Sequence, residues 1–186
     1  MNHNTKLQII IGPMFSGKST ELIRLIREYK FIEAKIMVIK HSLDDSRYER
    51  SKLCTHDKQT EDCLSTNNLM NLTSTKEYLD AEVIFIEEAQ FFDNLFEFVS
   101  EGLNEKKSFV VAGLDGDFKR NPFGDILKLI PLAEKVVKLN ALCFFCKNGT
   151  EAPFTKRLIQ SQDQQLVGGA DSYASVCRYH YENKCC

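Results

Sequence analysis

The run Gly12-Pro13-Met14-Phe15-Ser16-Gly17-Lys18-Ser19 follows the spacing G-x-x-x-x-G-K-[ST]. Such a run can wrap main-chain N–H groups around phosphate oxygens, and the helix after it adds the positive end of its dipole. Lys18 is then within reach of β- and γ-phosphates, and the Ser19 hydroxyl can ligate Mg²⁺. A second group of polar residues closes an apolar run, where Val83-Ile84-Phe85-Ile86 leads into Glu87-Glu88. Acids at the end of a buried strand lie at the carboxyl edge of a sheet, the usual side for nucleotides. One can hold Mg²⁺ through water and the next can serve as a general base. Alone, they would be read as acids in the first turn of a helix beginning near Gln90. Beside a phosphate loop the catalytic role takes precedence. A third group is Cys143-x-x-Cys146 and Cys177-x-x-His180, two ligand pairs with 30 residues between them. Two tight turns of this kind complete a tetrahedron for Zn²⁺ and leave no open position, which makes the site structural. Cys54, His56 and Cys63 are too loosely spaced for the same argument and read as core thiols with a loop histidine.

These groups need a frame. Leu7–Ile11 is a candidate strand ended by Gly12-Pro13, and Ser19–Tyr29 a helix with Leu22, Ile23, Leu25, Ile26 and Tyr29 on one face. Strands are expected at Ile36–Ile39, Val83–Ile86, Phe109–Leu114 and Val136–Leu139. Helical periodicity runs from Phe91 to Leu103, and a shorter helix around Asp125–Ile130 is closed by Pro131. The polar stretch from His41 to about Leu69 reads as mostly loop. Alternating β and α segments imply an α/β fold, a parallel P-loop sheet flanked by helices. After Asn140 the composition turns to Cys, Gly and short polar runs. The division expected is a P-loop nucleotide-binding domain over 1–140 and a small C-terminal zinc-ribbon domain over 141–186.

Composition narrows the function. The chain has 186 residues, 43% hydrophobic and 27% charged, enough for a core of ordinary size. No run approaches the roughly 18 apolar residues of a membrane span, and the N-terminus has no secretory pattern. Seven cysteines are an odd number for a disulfide framework, so a reducing, cytoplasmic setting is expected. A net charge of −2 argues against a main role on nucleic-acid backbone. The motifs alone leave open a P-loop ATPase whose acids activate water.

A longer series of matches narrows this further. Asp45-Ser46-Arg47-Tyr48, Cys54-Thr55-His56-Asp57, Glu87-Glu88-Ala89-Gln90-Phe91-Phe92, Leu114-Asp115-Gly116-Asp117-Phe118, Asn121-Pro122-Phe123-Gly124, Pro131-Leu132-Ala133-Glu134, Thr155-Lys156-Arg157-Leu158 and Gly168-Gly169-Ala170-Asp171 occur in that order. With the phosphate loop and the Cys/His pairs, the chain from about Leu7 to His180 resembles the thymidine kinase family of animals, bacteria and large DNA viruses. The resemblance implies that Glu88 is the base for the nucleoside 5′-hydroxyl, with Glu87 and Gln90 beside the phosphates and Mg²⁺. It implies that Asp45, Ser46 and Arg47 lie near the nucleotide and that Arg157 offsets phosphate charge. Gln164, Gln165, Leu166, Val167 and Gly168, with Tyr173, are expected to close over base and sugar through main-chain bonds. Met14, Phe91, Leu114, Phe118, Phe123 and Thr155 would line the pocket, although spacing alone would assign most of them to core packing. ATP, Mg²⁺ and structural Zn²⁺ are the implied cofactors. A homotetramer, thymidine as substrate and thymidine triphosphate as feedback inhibitor follow from the same resemblance. Glu87 and Asp117 depart from the family pattern, which usually carries Asp at the first position, and Thr at the second in animal and viral forms. Gln164 also departs, standing where a small apolar residue is usual.

Overall fold

Leu7, Ile9, Ile10 and Ile11, interrupted only by the half-buried Gln8, make Leu7–Ile11 the first strand, β1, and burial on both faces of a sheet is what so apolar a run demands. A computed structural model describes residues 5–43, 52–54, 60–160, 169 and 171–183. After β1 come helix α1 (Lys18–Phe31) and strand β2 (Ile36–His41). The short strands β3 (Lys52–Cys54), β4 (Thr60–Asp62) and β5 (Leu64–Thr66) follow. Helix α2 (Lys76–Asp80), strand β6 (Val83–Glu87), helix α3 (Leu95–Asn104) and strands β7 (Ser108–Gly113) and β8 (Lys135–Lys138) complete the larger part. The C-terminal part holds strands β9 (Ala141–Leu142), β10 (Glu151–Ala152), β11 (Phe154–Arg157) and β12 (Tyr173–Val176), then helix α4 (Arg178–Glu182).

Six strands form one parallel sheet in the order β5-β2-β6-β7-β1-β8. Successive side chains alternate between its faces. Ile9, Ile39, Ile84, Ile86 and Val111 join one apolar cluster with Phe92, Leu95, Phe98 and Ile126. Ile10, Val38, Phe85 and Val110 join the other, against Leu22, Ile23, Leu25 and Ile26 of α1. The outer side of α1 is charged. Lys30 and Arg27 both reach Glu61 of β4, at 2.5 and 3.2 Å, which ties the β3-β4 hairpin to the helix. A third cluster contains Ala141, Cys143, Ala152, Ala174, Val176 and Cys177, and Phe15 of the phosphate loop packs against it.

Three expectations need correction. The stretch from His41 to Leu69 is not simply loop: β5 pairs with β2, Ile39 opposite Leu64 and His41 opposite Thr66, and supplies the sixth strand. The helix expected from Phe91 begins at Leu95 instead. Glu88 is left-handed (φ 51°) and Phe92 extended (φ −89°, ψ 114°), so Ala89–Phe91 is a separate 3₁₀ turn. Pro131 does not end the segment around Asp125–Ile130. It lies inside a 3₁₀ stretch, Ile126–Leu132, and the Ala133 N–H bonds the Ile130 carbonyl at 3.2 Å across it. Three-residue turns tolerate the missing proline donor better than an α-helix interior does.

Candidate active site and metal centre

The carboxyl ends of β1 and β6 carry the phosphate loop and the acid pair, as a parallel sheet requires. Gly12 and Gly17 have φ of +152° and +86°, and a Cβ on Gly12 would strike the Leu139 carbonyl and the Ser16 hydroxyl. Only glycine fits there without strain. Inside the loop, Ser16 Oγ and Lys18 Nζ both donate to the Pro13 carbonyl at 2.8 Å. Burial holds the Lys18 ammonium below its usual pKa, while the charges of Glu88, Glu87 and Asp115 act to raise it. Met14 N–H donates to Thr155 Oγ1 of β11 at 3.0 Å, so the loop is fastened to the C-terminal part of the chain.

Glu87 and Glu88 are adjacent but differently employed. Glu87 is the last residue of β6, 4% exposed, and accepts a hydrogen bond from Ser19 Oγ at the start of α1. A hydroxyl and a carboxylate brought together at the phosphate loop are the hard oxygen donors that Mg²⁺ prefers. Glu88 turns away in a left-handed conformation, uncommon for a residue with a side chain. Its Oε2 accepts from Gln90 Nε2 at 2.5 Å, and Gln90 Oε1 in turn accepts from Leu114 N–H at 2.9 Å. Gln90, expected beside the phosphates, therefore has both ends of its amide engaged by protein.

Of the expected pocket residues, Phe91 and Phe123 meet edge to face at 5.5 Å, and the Phe91 ring also lies 5.7 Å from His41. Arg157 spans the site's other side. Its guanidinium lies 3.8 Å from the centre of the Phe118 ring and donates to Tyr173 Oη at 2.6 Å. Asp117 accepts from the N–H groups of Lys119 and Asn121 at 2.8 and 2.9 Å, which shapes the loop that presents Phe118. Asp45, Ser46, Arg47 and 164–168 lie outside the described residues. Asp115 is a charge that motif reading passed over. It pairs with Lys138 at 2.7 Å and contributes to the field at Lys18, and an acid just past the end of β7 was its clue.

Cys143, Cys146, Cys177 and His180 converge as their spacing demands, with ligand atoms within 4.8 Å of one another. His180 Nδ1 lies 3.5, 3.3 and 3.3 Å from the sulfurs of Cys143, Cys146 and Cys177, and the Cys146 and Cys177 sulfurs are 3.9 Å apart. Zinc bonds of about 2.3 Å to sulfur and about 2.0–2.1 Å to nitrogen imply tetrahedron edges of about 3.5–3.8 Å, so the donors fit the ion. Burial opposes ionisation of the Cys143 thiol, yet N–H groups of Cys177, Cys146 and Phe145 outweigh it and bring the thiol down to about 6. Lys156 Nζ donates to the His180 carbonyl at 2.5 Å and to that of Asn183 at 2.9 Å, holding α4 where His180 can face the cysteines.

A parallel sheet whose first strand runs through a phosphate loop into a helix, with acids on a neighbouring strand end, defines the P-loop class. The family described as thymidine kinase matches residues 5–181. The chain is 47% identical to the cytosolic thymidine kinase of Homo sapiens over 179 residues, 96% of this chain and 74% of that one. It is 47% identical to the thymidine kinase of Rabbit fibroma virus (strain Kasza) over 94% of this chain and 95% of that one. The same identity holds for the thymidine kinase of Vaccinia virus (strain Western Reserve), over 94% of this chain and 96% of that one. The chain belongs to the thymidine kinase family.

Proposed function

We propose that the protein transfers the γ-phosphoryl group of ATP to the 5′-hydroxyl of thymidine, giving thymidine monophosphate and ADP. The observation that carries this is the division of labour between Glu87, bonded to Ser19 at the phosphate loop, and Glu88, turned away toward Gln90. A kinase needs one acid for the metal and one for the acceptor's proton. Glu88 accepts the 5′-hydroxyl proton as the new oxygen–phosphorus bond forms and the bond to ADP breaks. Gly12 to Ser19 wrap the phosphates, and Lys18 and Arg157 offset the charge that builds on the transferred group. Ser19 and Glu87 would hold Mg²⁺, which would supply further positive charge to the phosphates.

Met14, Phe91, Leu114, Phe118, Phe123, Thr155 and Tyr173 form the nucleoside pocket in this reading, with 164–168 closing over the base. Cys143, Cys146, Cys177 and His180 hold a structural Zn²⁺ that fixes both ends of that closing segment. The same reading includes a cytosolic homotetramer inhibited by thymidine triphosphate. Among the described residues, no helix is long and apolar enough to cross a membrane.

The test is phosphoryl transfer from γ-labelled ATP to a panel of nucleosides. Label should appear in thymidine monophosphate, and ADP formation should depend on thymidine. ADP released at the same rate without any nucleoside would instead mark an ATPase.

A further inference from the structure

Gln90 is 2% exposed, and it sits in the 3₁₀ turn Ala89–Phe91 rather than at the start of a long helix. Its amide has a defined orientation. The Leu114 N–H can only donate, so the oxygen of Gln90 must face it, and the NH₂ must face the Glu88 carboxylate. Two glycines make room for this bridge. A Cβ on Gly113 would collide with Gln90 Oε1, and one on Gly124, at φ +61°, would collide with the Gln90 main chain. The residue it holds is the strained one, since Glu88 is left-handed and without a side-chain cap of its own on the turn that follows.

We propose that Gln90 is a positioning residue that fixes the Glu88 carboxylate and, through Leu114, sets its distance from the wall of the nucleoside pocket. This rests on the assignment of Glu88 as the base. It differs from a role in holding nucleotide, because both of the amide's hydrogen bonds run to protein, to Glu88 and to Leu114 N–H. One hydrogen bond from the NH₂ group stops the carboxylate from turning without removing its basicity. The other ties that carboxylate to the chain segment leaving β7. The charge of Glu88 acts on Lys18 of α1, as do those of Glu87 of β6 and Asp115 beyond β7.

Two substitutions and a cycle test this. Gln90→Leu keeps the volume and removes both bonds. It should lower kcat by roughly ten- to a hundredfold, the scale of a misaligned reacting group. ATP binding, measured by calorimetry, should change by less than about twofold, since ground-state phosphate contacts are untouched. Gln90→Glu restores an acceptor for Leu114 N–H but sets a second carboxylate against Glu88. The acid limb of kcat should therefore move to higher pH, a shift that loss of packing cannot produce. In a Glu88→Gln background, Gln90→Leu should cost less than about threefold more, because the group it positions is no longer a base.

Equal loss of ATP affinity and of kcat/KM in Gln90→Leu would make Gln90 a nucleotide ligand and overturn the proposal. So would full additivity with a crippled Glu88→Gln, or an unmoved pH profile in Gln90→Glu. Full activity of Glu88→Gln alone would remove the base itself, and the positioning role with it.

Discussion

Met14 N–H and Thr155 Oγ1, 141 positions apart in sequence, are joined by a hydrogen bond of 3.0 Å. The phosphate loop is thereby braced by a strand of the C-terminal part, and Thr155 is 5% exposed, so water does not replace the bond readily.

Thr155→Val keeps the branched shape and removes the acceptor. Losing the half-buried Met14 N–H bond should cost about 0.5–1.5 kcal/mol. In a chain of this size each kcal/mol lowers Tm by about 2–4 °C. The KM for ATP should rise as well, because the loop that holds phosphate loses its brace. Thermal melts and ATP titrations of the variant check both; an unchanged KM would confine the bond to stability.

The two glutamates should fail in different ways. Glu88→Gln should lower kcat by about 10²–10⁴, the usual effect of removing a general base, with ATP affinity nearly intact. Glu87→Gln should weaken the hold on Mg²⁺ and recover much of its activity as Mg²⁺ is raised. Glu87→Asp should be mild, because a carboxylate still faces Ser19. A Mg²⁺ titration of kcat and of the KM for ATP separates the three, and rescue of Glu88→Gln by Mg²⁺ would reverse the assignments.

Metal analysis should give about one tightly held Zn²⁺ per chain. Cys143→Ser and Cys177→Ser should lose the metal and melt at lower temperature, with the larger catalytic defect in kcat/KM for the nucleoside. ATP binding at the sheet edge should suffer less, since α1, β1 and β6 have their own apolar clusters. Zinc-free protein of unchanged Tm and activity would contradict this.

Purine deoxynucleosides should be very poor acceptors. In the proposed pocket, Phe91 packs edge to face on Phe123, and Arg157 lies over Phe118 and bonds Tyr173, so a second base ring would have to displace one of these contacts. Deoxyadenosine phosphorylated as fast as thymidine would remove the basis for this pocket.

The parts that were legible in sequence are those where one chemical demand controls the residue type. Leu7–Ile11 is apolar at every position but Gln8 because both its faces are covered, and its bounds coincide with β1. The Cys/His spacing likewise delivered four converging ligand atoms. β5 was hidden because Leu-Ser-Thr at a sheet edge is held by main-chain bonds to β2, which leave no mark on side-chain type. α2 is five residues long and rests on a cap, Thr75 Oγ1 accepting from Tyr78 N–H, rather than on periodicity. The break before Leu95 follows from backbone torsions at Glu88 and Phe92, and apolar residues at 91, 92, 95 and 98 fit a continuous helix equally well. The Gln90 bridge joins three loops and strand ends, so no local spacing announces it.

The place of β1 in the sheet has a consequence for biosynthesis. Leu7–Ile11 pairs with Phe109–Gly113 on one side, and Gln8–Ile11 with Lys135–Lys138 on the other. β1, which carries the phosphate loop, thus leaves the ribosome well before either of its neighbours, β7 and β8. At roughly 5–20 residues per second, about six to twenty-five seconds of synthesis separate β1 from its second partner. Until β7 emerges, Leu7, Ile9, Ile10 and Ile11 and their main-chain donors lack both neighbours in the sheet, and nascent chains that stall before β7 expose them. Chaperone capture should accordingly be heaviest on nascent chains that have not yet released β7 and β8 and fall once β8 has emerged.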